Sequence, residues 1–428
     1  MMQSRTQLRE MPTGPGVPET SATRPPSEFD DVLPEFAADY TEAEYLLEGT
    51  ANAYGGPATG PARIATTGHR YVTRILVRHP KSGRFSGRVV VEPFNTTYGV
   101  DRDALWLHVA GLLQAQGDAW VGVSVRAWSA EQLKQRDPRR YGELDIPSND
   151  LVWDLLRTVG TLVKESGEVR RVYLGGYSQS AVDVATFAAA FGAVYDGYFP
   201  ASHAASLTPL AVGEGLPRFE YAPVPAVGVP VVEIQPQSDV EGFAFEDFVN
   251  PGGASVRRDD SDAAGDLFRL YEIAGAPHAA RIAGCDGDGS SFPMAAFVRA
   301  ALRNLFRWAE DGIAPPRAPR VALRVDDTVA EAAVDRFGNA VGGVPSPFLE
   351  VPLARYEAHS TPGPLCALVG REAPLPHAVL AGRYGDARTY LAEFATSLDA
   401  AIEAGFLLGD DRAEILQAQT VKAKAAFA

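Results

Sequence analysis

The stretch 169-VRRVYLGGYSQSAVDVATFAAA-190 reads as strand, abrupt turn and helix. Val172, Tyr173 and Leu174 set β-branched, aromatic and aliphatic side chains in succession, as a parallel strand buried on both faces requires. Beyond the turn, Ala181, Val184, Ala185 and Ala188 recur at the spacing of a helix face lying on a sheet. Between them, Gly176-Tyr177-Ser178-Gln179-Ser180 is a close variant of the G-x-S-x-G turn that holds a serine at the tip of a strand. Strand and helix can approach there only if the residues two before and two after that serine are small. Gly176 meets this in full; Ser180 is one hydroxymethyl group larger, which implies a slightly looser turn. Ser178 is the candidate nucleophile, at a helix N-terminus whose dipole and free N–H groups favour a developing oxyanion. A plain Gly/Ser turn would carry no chemistry, but the flanking pattern favours the nucleophile.

Upstream, residues 43–54, 69–79 and 87–93 are strand candidates, with a turn at Pro80-Lys81-Ser82-Gly83, and predict antiparallel strands feeding a parallel sheet. Residues 94–101 form a loop, 104–116 a helix and 120–125 the next strand. The polar stretch 126–149 is long for a connection and reads as an insertion draped over a pocket. Residues 150–164 resume as a helix with Asp150 as N-cap. Downstream come a short strand with its exit loop (195–203), an irregular insertion (204–227), a buried strand (229–235), a Gly-rich acidic loop (240–265), a strand (267–273) and a helix (293–310). This alternation predicts an α/β fold, a mainly parallel sheet with helices on both faces. The Pro-rich run 313–319 marks a boundary. Residues 39–312 then form the core, with insertions at 126–149, 204–227 and 240–265, and 313–428 form a C-terminal extension packed on it. Residues 1–38, rich in Pro, Thr, Ser and Gly, are expected to be disordered.

A chain of 428 residues, 46% hydrophobic, has ample material for a large core. Its net charge of -15 argues against nucleic-acid binding and against docking on anionic membranes. There is no apolar run of about 18 residues, which predicts no membrane span. The N-terminus lacks the apolar centre of a signal peptide, which predicts a cytoplasmic location. Cys285 and Cys366 are too few and too isolated for a zinc site, so no metal is expected. In a cytosol two reduced thiols are expected; in an oxidising compartment the pair would form one disulfide.

A serine hydroxyl is a weak nucleophile near neutral pH and needs a base within reach and a carboxylate to orient that base. The partners of such an elbow follow it as acid, then histidine, at the C-terminal ends of later strands. The second strand onward ends at Asp239 and the third at His278. Among seven histidines, His278 alone follows an expected strand in that order. His203 also follows a strand but precedes any suitable acid; it lines the pocket or is a plain loop histidine. Glu233, inside its strand, and Glu241, Glu246 and Asp247, just beyond, are the competing acids. One oxyanion donor is the N–H of Gln179, the residue after the nucleophile. The second is expected from Asn95-Thr96-Thr97, where Asn95 either donates to the substrate or caps the turn. Tyr98, Trp128 and Phe243 either shape an acyl pocket or merely pack.

These motifs resemble those of the α/β hydrolases, and within them the group called α/β hydrolase domain-containing proteins. The residues that carry the resemblance are Val91-Glu92-Pro93-Phe94-Asn95, the elbow, Gln237-Ser238-Asp239-Val240 and Ala274-Gly275-Ala276-Pro277-His278. Further along, Trp308-Ala309-Glu310-Asp311-Gly312 with Pro315-Pro316, and Asp335-Arg336-Phe337-Gly338-Asn339-Ala340-Val341-Gly342-Gly343, fit the same group. The resemblance covers nearly everything after about residue 39. It implies a hydrolase with a Ser178-Asp239-His278 triad and leaves the substrate open; the leading expectation from the residues is cleavage of a small-molecule ester or lactone through an acyl-enzyme, with no metal or organic cofactor. Acyl transfer to an alcohol or amine would use the same residues. A catalytically silent ligand-binding protein on the same scaffold is the alternative of another class.

Overall fold

The computed structural model describes residues 6–11, 37–81, 83–97, 99–213, 219–245, 248–250, 252–282, 285, 289–326, 329–360 and 366–428. Nearly all of the N-terminal segment expected to be disordered, together with Tyr98, Glu246 and Asp247, lies outside them, as does the side chain of Phe243. The chain divides into two compact units, one of residues up to Val231 with Ala263–Leu267, the other of Val232–Asp262 with Phe268–Ala428.

The first unit is built on β1 (Gln7–Glu10), β2 (Tyr40–Gly55), β3 (Arg63–Pro80), β4 (Arg88–Pro93), β5 (Ala119–Val123), β6 (Arg171–Tyr177) and β7 (Gly197–Ala201). Their order is β1-β2-β3-β5-β4-β6-β7. β1, β2, β3 and β5 are antiparallel neighbours; β5, β4, β6 and β7 are parallel ones. The expected antiparallel entry into a parallel sheet is therefore present. Every residue of β5 is buried, as are all but the first of β4 and β6, which is why these strands read as continuous apolar runs. Gly122 interrupts one of them because a Cβ there would lie 2.4 Å from the rings of Phe94 and Trp120.

Helices α1 (Trp106–Gln116), α2 (Ala127–Arg136), α3 (Pro138–Tyr141), α4 (Val152–Glu165) and α5 (Gln179–Phe191) complete this unit. Glu92, wholly buried at the end of β4, ties α1 to the sheet. It accepts from the N–H groups of Leu105 (2.7 Å) and Trp106 (3.1 Å) and from Trp120 Nε1 (2.9 Å). Burial pushes its carboxyl up to about 8, against the pull of the Leu105 N–H and with a further push from Asp103.

Two sequence expectations need correction here. The stretch 126–149 is not a draped loop: it holds α2 and α3, anchored by Leu133, Tyr141, Leu144 and Ile146 in a cluster with Leu46. Its charges are partly internal, since Arg140 and Tyr141 bind the buried Glu44, which also holds Arg74. Nor does Asp150 cap α4. Ser148 caps the 3-10 turn at Asn149–Leu151 through its side chain, and that turn leads into α4. The 204–227 insertion contains one short antiparallel pair, β8 (Ser206–Leu207) and β9 (Glu220–Tyr221).

The second unit carries β10 (Val231–Pro236), α6 (Gln237–Glu241), β11 (Phe243–Phe245), β12 (Phe248–Asn250), β13 (Ser261–Ala263), β14 (Asp266–Ile273) and α7 (Met294–Asp311). After these come β15 (Leu323–Asp326), β16 (Val329–Ala332), α8 (Pro347–Glu350), β17 (Ala354–Glu357), β18 (Arg371–Pro374), α9 (His377–Tyr384), α10 (Ala387–Glu403) and α11 (Arg412–Ala426). β10 neighbours β14, and β11 pairs with β12 inside the stretch read as a loop. The residues after 312 share a core with α7 and β14. Asn304 Nδ2 donates to the Gly405 carbonyl (2.9 Å), Phe406 meets Tyr271 edge-on, and Phe348 packs against Phe292 and Phe394. Among the described residues no helix is long and apolar enough to cross a membrane.

Cys285 and Cys366 are joined, Cα atoms 5.4 Å apart, and not reduced as expected for a cytosol. Folding brings them together because the segment that starts at Cys366 pairs with the backbone around Ala279. A lasting bridge belongs to an oxidising environment, the second of the two cases the sequence left open for this pair. Closing an 81-residue separation removes chain entropy worth roughly 4–5 kcal/mol from the unfolded state. Cys285→Ser should therefore lower the urea midpoint markedly, and reductant should do the same to the wild type. Unchanged midpoints in both would show that the bridge contributes nothing.

Candidate active site

The connection from β4 through α1 to β5 goes one way along the sheet, and β6 lies on the other side of β4. The carboxyl ends of β4 and β6 therefore flank a topological switch point, where open α/β sheets bind ligands. Ser178 stands at this end of β6 and opens α5. Its backbone has φ 61° and ψ -128°, a conformation that L residues rarely adopt and that costs about 1–3 kcal/mol. Main-chain bonds hold it there: Ser178 N–H donates to the Ala201 carbonyl (3.0 Å), and its own carbonyl accepts from Ala181 (2.8 Å) and Val182 (3.2 Å).

Gly176 is required, since a Cβ would sit 2.7 Å from the Ser180 backbone. Ser180 does not loosen the turn. Its buried hydroxyl accepts from the Tyr177 N–H (3.0 Å) and donates to the Tyr177 carbonyl (3.1 Å), closing the elbow from inside.

Around this serine, the N–H of Gln179 opens α5 and has no acceptor within its helix. Asn95 caps its turn. Its N–H bonds the Arg102 carbonyl, its amide donates to the Tyr177 carbonyl (3.0 Å), and its Oδ1 accepts from Thr97 (3.0 Å). The Asn95 backbone N–H and one hydrogen of its amide are thus engaged within the protein. The Thr96 N–H points at the side-chain oxygen of Gln179 (2.9 Å), whose nitrogen donates to Asp183 Oδ2 (3.1 Å). Asp183 is wholly buried and paired with Arg126. Burial raises the Asp183 carboxyl, while Arg126 and Gln179 pull it down. Half-buried Trp128 lies beside the same guanidinium, its ring 5.7 Å from Arg126 Cζ. His203, after β7, is buried with Nδ1 3.3 Å from the Ser206 carbonyl. A cavity of about 420 Å³ lined by Leu47, Val77, Val121 and Leu162 does not include Ser178.

In the second unit the structure brings together the two later residues singled out in the sequence. Asp239 lies in α6, directly after the end of β10, and is fully buried; His278 Nδ1 is 2.9 Å from its Oδ2 and 3.1 Å from its Oδ1. A carboxylate only accepts, so Nδ1 carries the hydrogen and Nε2 is left as the basic nitrogen. Ser238 Oγ donates to Asp239 Oδ2 (3.0 Å), and the Gly275 N–H to Gln237 Oε1 (2.8 Å), fastening α6 to the loop before His278. Glu233 is buried within β10. Glu241 faces another histidine: its Oε2 is 3.1 Å from Nε2 of His359. Sequence reasoning missed His359, because 118 residues separate the partners and no local pattern marks them. Among the described residues, no group of three or more His, Cys, Asp or Glu could hold a metal ion.

The family model described as Alpha/beta hydrolase domain matches residues 12–417. No curated protein matches the chain. Among solved structures it is similar to an alpha-beta serine hydrolase homologue from Coxiella burnetii, with 13% identity, 49% of this chain and 84% of that chain covered, and a TM-score of 0.32. It is similar to ferulic acid-bound Est1E from Butyrivibrio proteoclasticus (14%; 49% and 88% covered; TM-score 0.32). A cold-adapted esterase from an Arctic intertidal metagenomic library is a third (11%; 56% and 86% covered; TM-score 0.32). Likeness this slight carries no argument about activity. The match over residues 12–417, on a sheet whose sixth strand ends in a strained serine, shows that the chain belongs to the alpha/beta hydrolase domain family.

Proposed function

We propose that the protein is a serine esterase that cleaves a small carboxylic ester or lactone. The observation that carries this reading is the strained backbone of Ser178, φ 61°, at the point where β6 ends and α5 begins. In the mechanism, His278 Nε2 takes the proton of Ser178 Oγ as the oxygen attacks the carbonyl carbon. The tetrahedral oxyanion rests on the N–H groups of Gln179 and Thr96, each donor being worth about 3 kcal/mol of barrier. Thr96 is free to act only once the Gln179 side chain swings off it, so substrate binding must displace that contact. The protonated His278 then gives its proton to the leaving alcohol, and water activated by the same nitrogen releases the acid. Asp239 holds the ring in the required tautomer.

A panel of p-nitrophenyl esters of increasing chain length, run with and without an alcohol acceptor, tests the reading. Release of p-nitrophenol well above that of Ser178→Ala supports it. Release equal to that of the variant for every ester would contradict it and favour a silent scaffold. A new ester formed in the presence of acceptor would make acyl transfer the reaction.

A further inference from the structure

A second imidazole and carboxylate stand beside the first. Glu241 lies two positions after Asp239 on α6, so the two carboxylates leave the helix in different directions. His359 Nε2 meets Glu241 Oε2 at 3.1 Å, and its Nδ1 meets the Ala367 carbonyl oxygen at 2.9 Å. A carbonyl only accepts, so Nδ1 carries a hydrogen. Glu241 Oε1 already accepts from Gln237 Nε2 (2.9 Å) and from the Ala332 N–H (2.7 Å), and a carboxylate offers only acceptors. Oε2 then requires a hydrogen from Nε2 as well. A ring donating from both nitrogens is an imidazolium.

The far ends of these bonds reach the Asp239–His278 pair from both sides. Glu241 belongs to the helix that carries Asp239. Ala367 belongs to a segment whose backbone pairs with Ala279, the residue after His278: the Ala279 N–H donates to the Leu368 carbonyl (2.9 Å), and Val369 bridges Ala279 in parallel. Ser360 Oγ donates to the Cys366 carbonyl (2.8 Å), and Cys366 is bonded to Cys285.

We propose that His359 is a positioning residue: as an imidazolium it clamps the helix bearing Asp239 to the 366–369 segment that backs His278, and so holds the acid and base in register. Its effect on turnover rests on the esterase reading above. The charged groups around it are Glu241 and Asp239 on α6; Glu357, at the end of its own strand, is engaged by Arg355 and Arg371. Burial works to lower the His359 pKa, but the hydrogen bond to Glu241, that to Ala367, and the charges of Glu241 and Asp239 outweigh it, and the net direction is upward. A raised folded-state value means that the clamp is complete below the ordinary histidine range and is lost as pH rises through the folded value.

The test compares the full-length wild type with His359→Phe and Glu241→Gln, using p-nitrophenyl butyrate and nitrogen-15 NMR of the histidine rings. The clamp predicts that both His359 nitrogens are protonated at neutral pH. It predicts a His278 Nδ1–H resonance that is sharp in the wild type and lost to exchange in both variants. It also predicts a fall in kcat of roughly up to a hundredfold in each variant, with KM held within about twofold. The alkaline decline of kcat in the wild type should vanish in His359→Phe. A neutral His359 ring in the wild type would overturn the proposal, as would variants with wild-type kcat and an unchanged His278 resonance. The NMR readings need no turnover, so a protein that cleaves no ester yet shows both imidazole signatures refutes the esterase reading and leaves the clamp standing. If His359→Phe fails to fold, Glu241→Gln, which keeps the volume, decides together with the wild-type ring protonation.

Discussion

Ser178→Ala should lower kcat/KM for a p-nitrophenyl ester by roughly five to six orders of magnitude, with folding intact. The bonds that fix this residue run through its backbone to Ala201, Ala181 and Val182, and alanine keeps all of them. What disappears is the attacking oxygen. The N–H donors of the elbow remain and can still favour the oxyanion of attacking water, so a residual rate of roughly 10³ to 10⁴ over the uncatalysed reaction should persist. A companion variant separates function from strain. Ser178→Gly should be as inactive but more stable, by up to about 1–3 kcal/mol, because glycine adopts a φ of 61° without penalty. A Ser178→Gly protein no more stable than wild type would mean that the elbow is not strained; an active Ser178→Ala would place the nucleophile elsewhere.

His278→Ala is expected to have the other large effect, a loss of kcat of comparable size, because without the imidazole the serine keeps its proton. The variant should also be somewhat destabilised. Asp239 is fully buried, and removing His278 takes away a hydrogen-bond donor to its carboxylate, at a cost of about 1–3 kcal/mol. Asp239→Asn isolates the orienting role. Its amide offers the ring a donor where the carboxylate offered only acceptors, which favours the tautomer with hydrogen on Nε2 and should cost roughly four orders of magnitude in kcat. Near-normal rates in Asp239→Asn would remove the carboxylate from the mechanism. Glu241 is a poor substitute, being engaged by His359, Gln237 and Ala332. Combining the two substitutions should give little more loss than His278→Ala alone, since the acid acts through the base.

How much of this was legible in the chain follows from the distance between partners. The elbow is local: Gly176, Ser178 and Ser180 lie within five residues, and strand and helix patterns flank them without interruption. Asp239 and His278 could be found because a parallel sheet puts its chemistry at strand ends, so counting strands replaces knowing the fold. Partnerships across long separations leave no such trace. Neither Glu241 with His359 nor Cys285 with Cys366 is marked by spacing, and the disulfide ran against the expectation drawn from compartment. The helices of 126–149 were hidden because their anchors are few among charges, and some of those charges turn inward to Glu44. Ser180 looked like a slightly oversized glycine; only its two bonds to Tyr177 show that the hydroxyl has a use. Asn95 was an even choice between capping and donating, and its bonds to Arg102, Tyr177 and Thr97 are those of a cap.

The central claim is that the hydroxyl at the end of β6 is an activated nucleophile. Intact-protein mass spectrometry after treatment with a fluorophosphonate reads this directly, with peptide mapping and Ser178→Ala and His278→Ala as controls. One adduct per chain, located on Ser178, absent from the alanine variant and strongly slowed in His278→Ala, is the predicted result. An adduct on another residue, or no adduct on wild type under conditions that label a known serine hydrolase, would contradict it.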